Sequence, residues 1–408
     1  MKTYKQYDLS ARNTFRMKVK CALYVEIESE EELEALDFVS LPQPVMVMGG
    51  GSNLLFTKDF PGTVLHYGAK ALSGGTPFAS LTPAPPTADA AGPSPYPCPG
   101  VDMSAGQCLV TLPAGTVFDD FCAWAAEEGL WGPENLSLIP GEVGASAVQN
   151  IGAYGVEAKD IIASIRAWDR QEHKFVVIDP ADCAYGYRTS KFKTEWKGRF
   201  IITAVTYRLS RTPQPRLDYG GFRKALAEKG VRAAPAGACP PPDKCRGRGP
   251  LPEAVGGAEA ERSEAESPAG VALTPQIIRD TIIGIRNAKL PDPAVTGSAG
   301  SFFCNPVISK EHFQKIVETA RQDNGPDYQV PHYEVGDSIK VPAAWMIEQC
   351  GFKGKRRGGA QVYQNQPLVI VNASGEATPE EIIGLENEVI QAIESKYGIT
   401  LHPEVEHV

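Results

Sequence analysis

Three polar residues, far apart in the chain, have neighbours that suggest chemistry. Arg188 lies among tyrosines, where an arginine either holds a carboxylate or phosphate through two hydrogen bonds or packs on aromatic faces. Ser301 lies between a glycine and two phenylalanines, which suits a proton-donating hydroxyl or a structural turn. No Gly-x-Ser-x-Gly elbow or histidine partner accompanies it, so a hydrolase nucleophile is not indicated. Glu404, taken alone, would be a solvated residue after an expected strand.

Two glycine-rich segments are candidates for binding an anionic ligand. Residues 139–155 contain four glycines and many small side chains, and this costly composition favours a ligand-binding loop over a flexible linker. Residues 49–53, Gly-Gly-Gly-Ser-Asn, follow an apolar stretch, and their backbone N–H groups can form an anion-binding nest. Their spacing differs from the dinucleotide fingerprint GxGxxG. Together the two segments predict a ligand that carries a diphosphate.

Composition restricts the class of protein. The 408 residues are enough for two or three domains, and the net charge of -9 argues against broad nucleic-acid binding. No apolar run approaches the roughly 20 residues of a membrane span, and the first residues lack a signal-peptide core. Nine cysteines without a CxxC pair and six histidines without ligand spacing predict no metal site and no disulfide framework. We therefore expect a cytoplasmic protein that binds neither membranes nor nucleic acids.

The elements that must position these residues alternate between strands and helices. Hydrophobic patterning predicts strands over residues 22–27, 44–48, 104–112, 162–167, 174–178, 200–209 and 368–371. Helices are predicted over residues 117–128, 274–287, 310–321 and 378–397, with a short one after Ser29. The last helix begins with Thr378, Pro379 and Glu381, which combine an N-cap, a first-turn proline and a capping glutamate.

Two segments differ in composition from the rest of the chain. Residues 69–100 and 233–270 are rich in proline, alanine and small polar residues, and the second also carries an acidic run. Such segments cannot bury enough apolar surface to offset the entropy of ordering. We predict that both are mobile insertions.

The ordered motifs resemble one family, the UDP-N-acetylenolpyruvoylglucosamine reductases (MurB). The resemblance covers nearly the whole chain outside the insertions. The matching motifs are residues 13–15, 49–55, 139–155, 187–193, 289–291, 300–306, 345–349 and 403–405. Cys304 departs from the pattern, because many members have a basic residue there.

The resemblance implies a flavoenzyme reaction. In the family, NADPH reduces bound FAD, and hydride then passes to the enolpyruvyl double bond of UDP-N-acetylglucosamine enolpyruvate to give UDP-N-acetylmuramate, a peptidoglycan precursor. Ser301 would be the proton donor, while Arg188 and Glu404 would stabilise the enolate-like intermediate. A bare carboxylate would repel that charge, so Glu404 is expected to act as a protonated acid or through an ordered network.

The same resemblance implies binding residues. FAD would contact the two glycine-rich segments, through Gly49, Gly50, Gly51, Ser52, Asn53, Ile139, Pro140, Gly141, Gly144, Ala145, Asn150, Gly152, Ala153, Tyr154 and Gly155. The substrate would contact Tyr187, Lys289, Asn305 and Gln361, with Gln349 as a further candidate. Tyr219 resembles the tyrosine that covers the substrate diphosphate in the longer subtype of the family.

The expected architecture is an α+β fold in which a two-part FAD-binding domain of the PCMH/VAO-like type precedes an α+β substrate-binding domain. The expected divisions are residues 1–68 and 101–210 for FAD and 211–408 for the substrate, with a C-terminal tail that returns Glu404 to the site. We expect a monomer. Another FAD oxidoreductase of the wider fold, such as an aldonolactone or alcohol oxidase, and a non-catalytic nucleotide-sugar binding protein remain as alternatives.

Overall fold

The computed structural model describes residues 1–69, 107–218, 222–229 and 272–408. Apart from residue 69, the two expected insertions, 69–100 and 233–270, lie outside the described residues. Tyr219 lies outside them too. The expectations for these segments therefore stay predictions.

The elements follow the order that the patterning predicts. The strands of the first part of the chain are β1 (Lys2–Asp8), β2 (Lys20–Ile27), β3 (Val45–Val47), β4 (Leu54–Leu55), β5 (Phe60–Tyr67), β6 (Gln107–Pro113), β7 (Gly152–Ala153), β8 (Val156–Glu157), β9 (Ile162–Asp169), β10 (Lys174–Ile178) and β11 (Phe200–Ser210). Its helices are α1 (Glu30–Glu34), α2 (Phe118–Glu127) and α3 (Val143–Gln149).

The second part of the chain is richer in helix. Its helices are α4 (Phe222–Glu228), α5 (Pro275–Lys289), α6 (Lys310–Asn324), α7 (Ala343–Gln349) and α8 (Pro379–Tyr397). Its strands are β12 (Gly297–Ser298), β13 (Val307–Ser309), β14 (Tyr333–Val335), β15 (Ser338–Lys340), β16 (Arg356–Arg357), β17 (Ala360–Val362), β18 (Ile370–Asn372) and β19 (Glu406–His407).

The strands form separate sheets, as an α+β fold requires. The first has the order β1-β2-β5-β3, in which β1 is antiparallel to β2 while β2 and β3 are parallel to β5. The second is antiparallel with the order β10-β9-β11-β6, and the C-terminal part has the sheets β12-β18-β17-β16 and β13-β15-β14. The expected α+β class is confirmed.

The first sheet lies between two hydrophobic cores. On β2, Tyr24 packs in a core that continues into the C-terminal part, whereas its neighbour Val25 packs in the core of the second sheet. Val64 and Leu65 of β5 divide in the same way. Because successive strand residues point to opposite faces, one short sheet is buried on both sides. It thereby fixes the other parts of the molecule relative to each other.

Helix ends follow the predicted capping chemistry. The side chain of Thr378 accepts a hydrogen bond from the N–H of Glu381, and the capping box before α8 is complete. Ile382, Leu385, Val389 and Ile393 form the buried stripe of this helix. The capped N-terminus and apolar stripe explain why α8 spans the range expected from sequence.

Candidate active site

The two glycine-rich segments lie against each other. The Ser52 hydroxyl donates a hydrogen bond of 3.1 Å to the carbonyl of Pro140. Gly141 has a φ of +118°, and a Cβ there would stand 2.9 Å from the Ser52 hydroxyl oxygen, so glycine allows the two segments to approach closely. We call the resulting structure the glycine cradle. It consists of residues 49–53 and 139–142.

The backbone of the glycine cradle suits an anion. The N–H groups of Gly49, Gly50, Gly51 and Ser52 have no acceptor within the described ranges. Gly51 has a φ of +62°, and a Cβ there would overlap the carbonyl oxygen of Arg12, so the turn requires glycine. Consecutive free N–H groups in a concave turn bind phosphate oxygens. The residues present therefore fit the diphosphate of FAD.

A buried pair of ionisable residues, His66 and Glu142, packs against the cradle. Nε2 of His66 lies 3.0 Å and 3.2 Å from the two carboxylate oxygens of Glu142. The Glu26 carboxylate lies 3.9 Å from the other ring nitrogen, and the Glu142 carboxylate would be 3.1 Å from a Cβ on Gly49. His66 belongs to β5, which pairs with β3, the strand before residues 49–53. Glu142 belongs to the second half of the cradle and precedes α3, so this pair connects the two halves.

Residues 139–155 are expected from the sequence to form a loop, but α3 occupies their middle. The N–H of Gly144 donates to the carbonyl of Ala114 over 2.9 Å, and a Cβ on Gly144 would stand 2.9 Å from that of Ala114. A helix of seven residues is marginal by itself, so its packing against the turn after β6 stabilises it. The helix ends at Asn150, which has a φ of +47°.

Asn150 is fully buried, and its side chain is saturated by protein groups. Its amide donates to Glu157 over 3.1 Å and to the carbonyl of Gly186 over 2.9 Å, while its oxygen accepts the N–H of Lys159 over 3.0 Å. A contact between Asn150 and the cofactor would therefore have to come from the backbone. The observed bonds tie the end of α3 to the turn that carries Arg188.

The other expected cofactor residues surround α3. Ile139 precedes the helix and is half-buried, and Ala145 within it would lie 3.7 Å from a Cβ on Gly49. Gly152 and Ala153 form β7, and Tyr154 and Gly155 make the turn to β8 with φ angles of +48° and +80°. The structure thus gathers these residues around one helix next to the cradle.

Arg188 and Glu404 meet beside the cradle. The Nε of Arg188 lies 3.2 Å from the Glu404 carboxylate. The same carboxylate accepts a hydrogen bond of 3.2 Å from Gln149, the last residue of α3. The amide of Asn53 donates to Gln149 over 2.9 Å and to the backbone carbonyl of Glu404 over 3.0 Å. Asn53 of the cradle therefore contacts the backbone of Glu404 and also Gln149, which donates to the Glu404 carboxylate.

The position of Arg188 depends on unusual backbone geometry. Its φ is +56°, in the left-handed region, and its guanidinium donates to the carbonyl of Gly152. A Cβ on Gly152 would stand 2.6 Å from a guanidinium nitrogen. Glycine at position 152 therefore leaves the space that the arginine occupies.

Burial dominates the electrostatics of Glu404. Its side chain is 11% exposed. Burial raises the pKa of the Glu404 carboxyl, although Arg188, the Gln149 hydrogen bond and Lys193 each favour the charged form. Lys193 is a second cation of the site, because its ammonium lies 3.4 Å from the side-chain oxygen of Gln149. The surroundings thus favour a carboxyl that keeps its proton to higher pH than a solvated glutamate does.

Ser301 lies next to the backbone contact that brings Glu404 into the site. The N–H of Glu404 donates to the carbonyl of Phe302 over 2.8 Å, and the N–H of Cys304 donates to His402 over 3.0 Å. Ser301 is half-buried, and its hydroxyl has no hydrogen-bond partner in the described part of the chain. Its neighbour Gly300 has a φ of +72°. A hydroxyl without a protein partner is available to a ligand.

Two expected substrate residues adjoin this group. The Asn305 amide lies 3.5 Å from the Tyr187 hydroxyl, and its oxygen accepts the N–H of Ala343 over 2.8 Å. Burial raises the pKa of Tyr187, and the charges of Arg188 and Glu404 also act on it. Tyr187 and Asn305 therefore adjoin Arg188 and Glu404, which we call the central pair.

Other expected substrate residues are not joined to the central pair by any contact between described residues. Lys289 is exposed at the end of α5. Gln361 donates to the carbonyl of Gly354 over 3.0 Å, and Gln349 bonds to Asn324 and Tyr328 at the far end of α7. Their expected roles stay predictions.

Sequence reasoning missed three residues of the site. Gln149 and Lys193 lie inside recognised motifs, but nothing in their local sequence distinguishes them from surface residues. Arg286 lies near the end of α5, and its guanidinium donates to the carbonyl of Leu138 over 3.2 Å. Burial lowers its pKa, and its Nε is buried without a hydrogen-bond partner among the residues that the structure describes.

The described residues contain neither a metal-binding cluster nor a membrane-spanning helix. No group of three His, Cys, Asp or Glu side chains in these ranges is arranged to hold a metal ion. None of the helices in the same ranges has the length and apolarity needed to span a bilayer.

Comparison with known proteins gives two family matches. Residues 292–408 match the family described as UDP-N-acetylenolpyruvoylglucosamine reductase, C-terminal domain. Residues 100–175 match the family described as FAD binding domain. The second match includes the cradle residues 139–142 and α3, where the geometry fits a dinucleotide.

Several similar proteins carry the name UDP-N-acetylenolpyruvoylglucosamine reductase. One from Bacteroides fragilis is 38% identical over 405 residues, with 99% of each chain covered. One from Porphyromonas gingivalis is 37% identical with 98% of each covered, and one from Neisseria meningitidis is 34% identical over 97% of this chain and 95% of the relative.

A solved structure supports the same fold. The crystal structure of UDP-N-acetylenolpyruvylglucosamine reductase (MurB) from Thermus caldophilus superposes with a TM-score of 0.56 at 19% identity, covering 100% of this chain and 98% of the other. The fold prediction of a two-part FAD-binding domain followed by a C-terminal domain is confirmed. With near full-length relatives above 30% identity, the chain belongs to the UDP-N-acetylenolpyruvoylglucosamine reductase family of FAD-dependent oxidoreductases.

Proposed function

We propose that this protein reduces the enolpyruvyl group of UDP-N-acetylglucosamine enolpyruvate to the lactyl ether of UDP-N-acetylmuramate, with NADPH as the reductant. The observation that carries the proposal is the contact of Arg188 with Glu404 beside the glycine cradle. When bound, FAD supplies hydride transfer from the reduced nicotinamide to the methylene carbon of the substrate.

Arg188 would hold the substrate carboxylate. Hydride addition leaves negative charge on the carbon next to that carboxylate, and this charge spreads onto its oxygens. A guanidinium fixed by the Gly152 carbonyl and by Glu404 needs little reorganisation to stabilise it. Lys193 adds positive charge to the same side of the site.

Glu404 would act in its protonated form. Because burial raises its pKa, proton release from this carboxyl is disfavoured, and a neutral carboxyl can donate a hydrogen bond to the developing enolate. Protonation of Glu404 also leaves the Arg188 charge free for the substrate. The carboxyl therefore contributes a hydrogen bond without adding negative charge.

Ser301 would transfer its hydroxyl proton to the carbon beside the carboxylate. The balance is then complete, since hydride adds to the methylene carbon and a proton adds to its neighbour. The Ser301 hydroxyl would regain its proton from solvent after turnover. This role is supported by its free hydroxyl and by its place next to the backbone contact between Phe302 and Glu404.

Tyr187 and Asn305 would contact the substrate near Arg188, Lys289 and Gln361 would also contact it, and Tyr219 would cover its diphosphate. The support for the first two is their contact with each other beside the central pair. We also propose a monomeric, cytoplasmic enzyme in which residues 1–68 and 101–210 bind FAD and residues 211–408 bind substrate. Light scattering of the purified protein gives its molar mass in solution and so tests whether it is a monomer.

An anaerobic spectral titration tests the function. The purified protein should have the visible spectrum of a flavin, NADPH should bleach it, and the enolpyruvyl nucleotide should restore it stoichiometrically. A protein without bound flavin, or a reduced flavin that the nucleotide leaves bleached, contradicts the proposal. Rapid reoxidation by air alone would indicate an oxidase instead.

A further inference from the structure

The strand that follows Glu404 is attached to the cradle side of the molecule. β19 pairs in parallel with β4, with Glu406 opposite Leu54 and His407 opposite Leu55. The N–H of Glu406 donates to the carbonyl of Asn53 over 3.0 Å, and the N–H of Val408 donates to that of Leu55 over 2.9 Å. A strand pair of two residues is short, so other contacts must hold this segment in place.

An ion pair lies at the end of this segment. Nε2 of His407 is 3.2 Å from the carboxylate of Glu386, whose side chain is 6% exposed. Glu386 points inward from α8, and no other described cation forms an ion pair with it. A buried carboxylate without a compensating charge is costly, so this contact strongly favours the segment in its place.

We propose that His407 is a positioning residue for the reaction, because its contact with Glu386 holds the strand that presents Glu404 to Arg188. The inference rests on the proposed role of Glu404. The two side chains lie on one short segment, in which the N–H of Glu404 is fixed by Phe302 and that of Glu406 by Asn53. Release of His407 would leave the distal end of this segment held only by Val408, whose N–H donates to Leu55 and whose carbonyl accepts from Thr57.

The surroundings of His407 give the contact a pH dependence. Glu386 is the charged group that faces it from α8, the facing β4 residues Leu54 and Leu55 are apolar, and the Phe302 ring lies 6.2 Å away. On its own strand, Glu406 is paired with Lys197. The adjacent Glu386 carboxylate raises the pKa of His407.

The raised pKa of His407 determines how the contact depends on pH. The folded protein binds the His407 proton more tightly than the unfolded chain does, so the contact is fully present below the ordinary pKa of 6.5. It is lost as pH rises through the raised value. The segment should therefore loosen on the alkaline side.

Hydrogen exchange of the FAD-bound protein tests the attachment without relying on activity. Protection of the Glu406 and Val408 amides should be highest below pH 6.5 and should fall over the alkaline range above it in the wild type. His407→Lys keeps a cation and should keep protection across this range, whereas His407→Gln should lose it throughout. Glu406→Gln removes a solvent-exposed charge from the same strand and should behave like the wild type.

Rapid kinetics test the consequence for Glu404. In His407→Gln, bleaching of the flavin by NADPH should be unchanged, and reoxidation by the nucleotide should slow by roughly tenfold to a hundredfold because Glu404 is misplaced. His407→Lys should restore the rate. If His407→Gln folds poorly, Glu386→Gln/His407→Gln removes both charges and should show slow reoxidation without the pH dependence of protection.

The outcomes separate the two proposals. Unchanged amide protection in His407→Gln, or a lysine variant that behaves like the glutamine variant, overturns the positioning role. A wild type whose flavin is not reoxidised by the nucleotide overturns the function instead, while the exchange experiment still reports on the His407 contact.

Discussion

The Arg188 side chain is held at a cost to its backbone. A non-glycine residue in the left-handed region loses about 1–2 kcal/mol, and Arg188 has a φ of +56°. Its contacts with Gly152 and Glu404 offset that cost and aim the guanidinium at one place. Strain of this kind is found where a side chain must be positioned for function.

Gly152→Ala should displace this guanidinium. The added Cβ would stand 2.6 Å from a guanidinium nitrogen, and we expect slower reoxidation of the flavin by the nucleotide, by at least about tenfold. Gly284→Ala is the control, because a Cβ there meets nothing within 4 Å. In the middle of α5 it should raise the free energy of unfolding by about 1 kcal/mol and leave turnover unchanged. Equal rates in both variants would contradict the positioning of Arg188 by Gly152.

Ser301→Ala should separate the two halves of the reaction. Bleaching by NADPH should persist, and reoxidation by the nucleotide should slow by roughly a hundredfold to ten-thousandfold, as loss of a general acid implies. Ser309→Ala is a matched control, since the Ser309 hydroxyl accepts from His312 N over 3.2 Å at the start of α6. It should cost about 1 kcal/mol of stability and no activity. If Ser301→Ala keeps both rates, another group donates the proton.

The glycine cradle depends on the turn at Gly51, where the neighbouring backbone leaves no room for a Cβ. Gly51→Ala should clash with the Arg12 carbonyl and weaken FAD binding by the apoprotein, measured by the quenching of flavin fluorescence. Gly129→Ala provides the comparison, because Gly129 also has a positive φ, +70°, but open space at its Cβ. It should cost only about 1–2 kcal/mol of stability. Similar FAD affinities in the two variants would mean that the cradle does not bind the diphosphate.

Elements with strong local signals were predictable, and those that depend on packing were not. Thr378 and Glu381 define the start of α8 in the sequence itself. By contrast, α3 consists of small residues and forms because Gly144 fits against Ala114, a contact between distant positions. The group of Arg188, Ser301 and Glu404 was predictable only from a family resemblance. Gln149 and Lys193, which complete it, become visible only when α3 and the following loops are folded.

A buried ion pair between α5 and α2 joins the C-terminal part of the chain to the first part. Arg279 of α5 binds both carboxylate oxygens of Asp119 of α2, one of them over 2.9 Å, with side-chain exposures of 10% and 24%. Burial opposes ionisation of Asp119, but the hydrogen bonds from Arg279 and Leu138 lower its pKa overall. This carboxylate therefore connects the C-terminal part to the loop that precedes the cradle.

Asp119→Ala should lower the free energy of unfolding by about 3–5 kcal/mol, because it leaves Arg279 buried without a partner. Since the folded pKa of Asp119 is depressed, its contribution is present above the unfolded pKa of 3.8 and is lost as pH falls through the lower folded value. Urea titrations at neutral and acid pH measure both effects. Replacing both residues with leucine and methionine should cost much less, and an equal cost would contradict the charge-based explanation.

The hydrogen bond from Asn53 to the carbonyl of Glu404 joins residues 351 positions apart. Contacts of such high sequence separation form late in folding, because the entropy of closing the chain must first be offset by structure already present. Assembly of the Arg188–Glu404 pair therefore depends on the prior folding of both halves. Before both halves have folded, the chain lacks this pair, so the onset of substrate reduction during refolding would report the completion of the whole molecule.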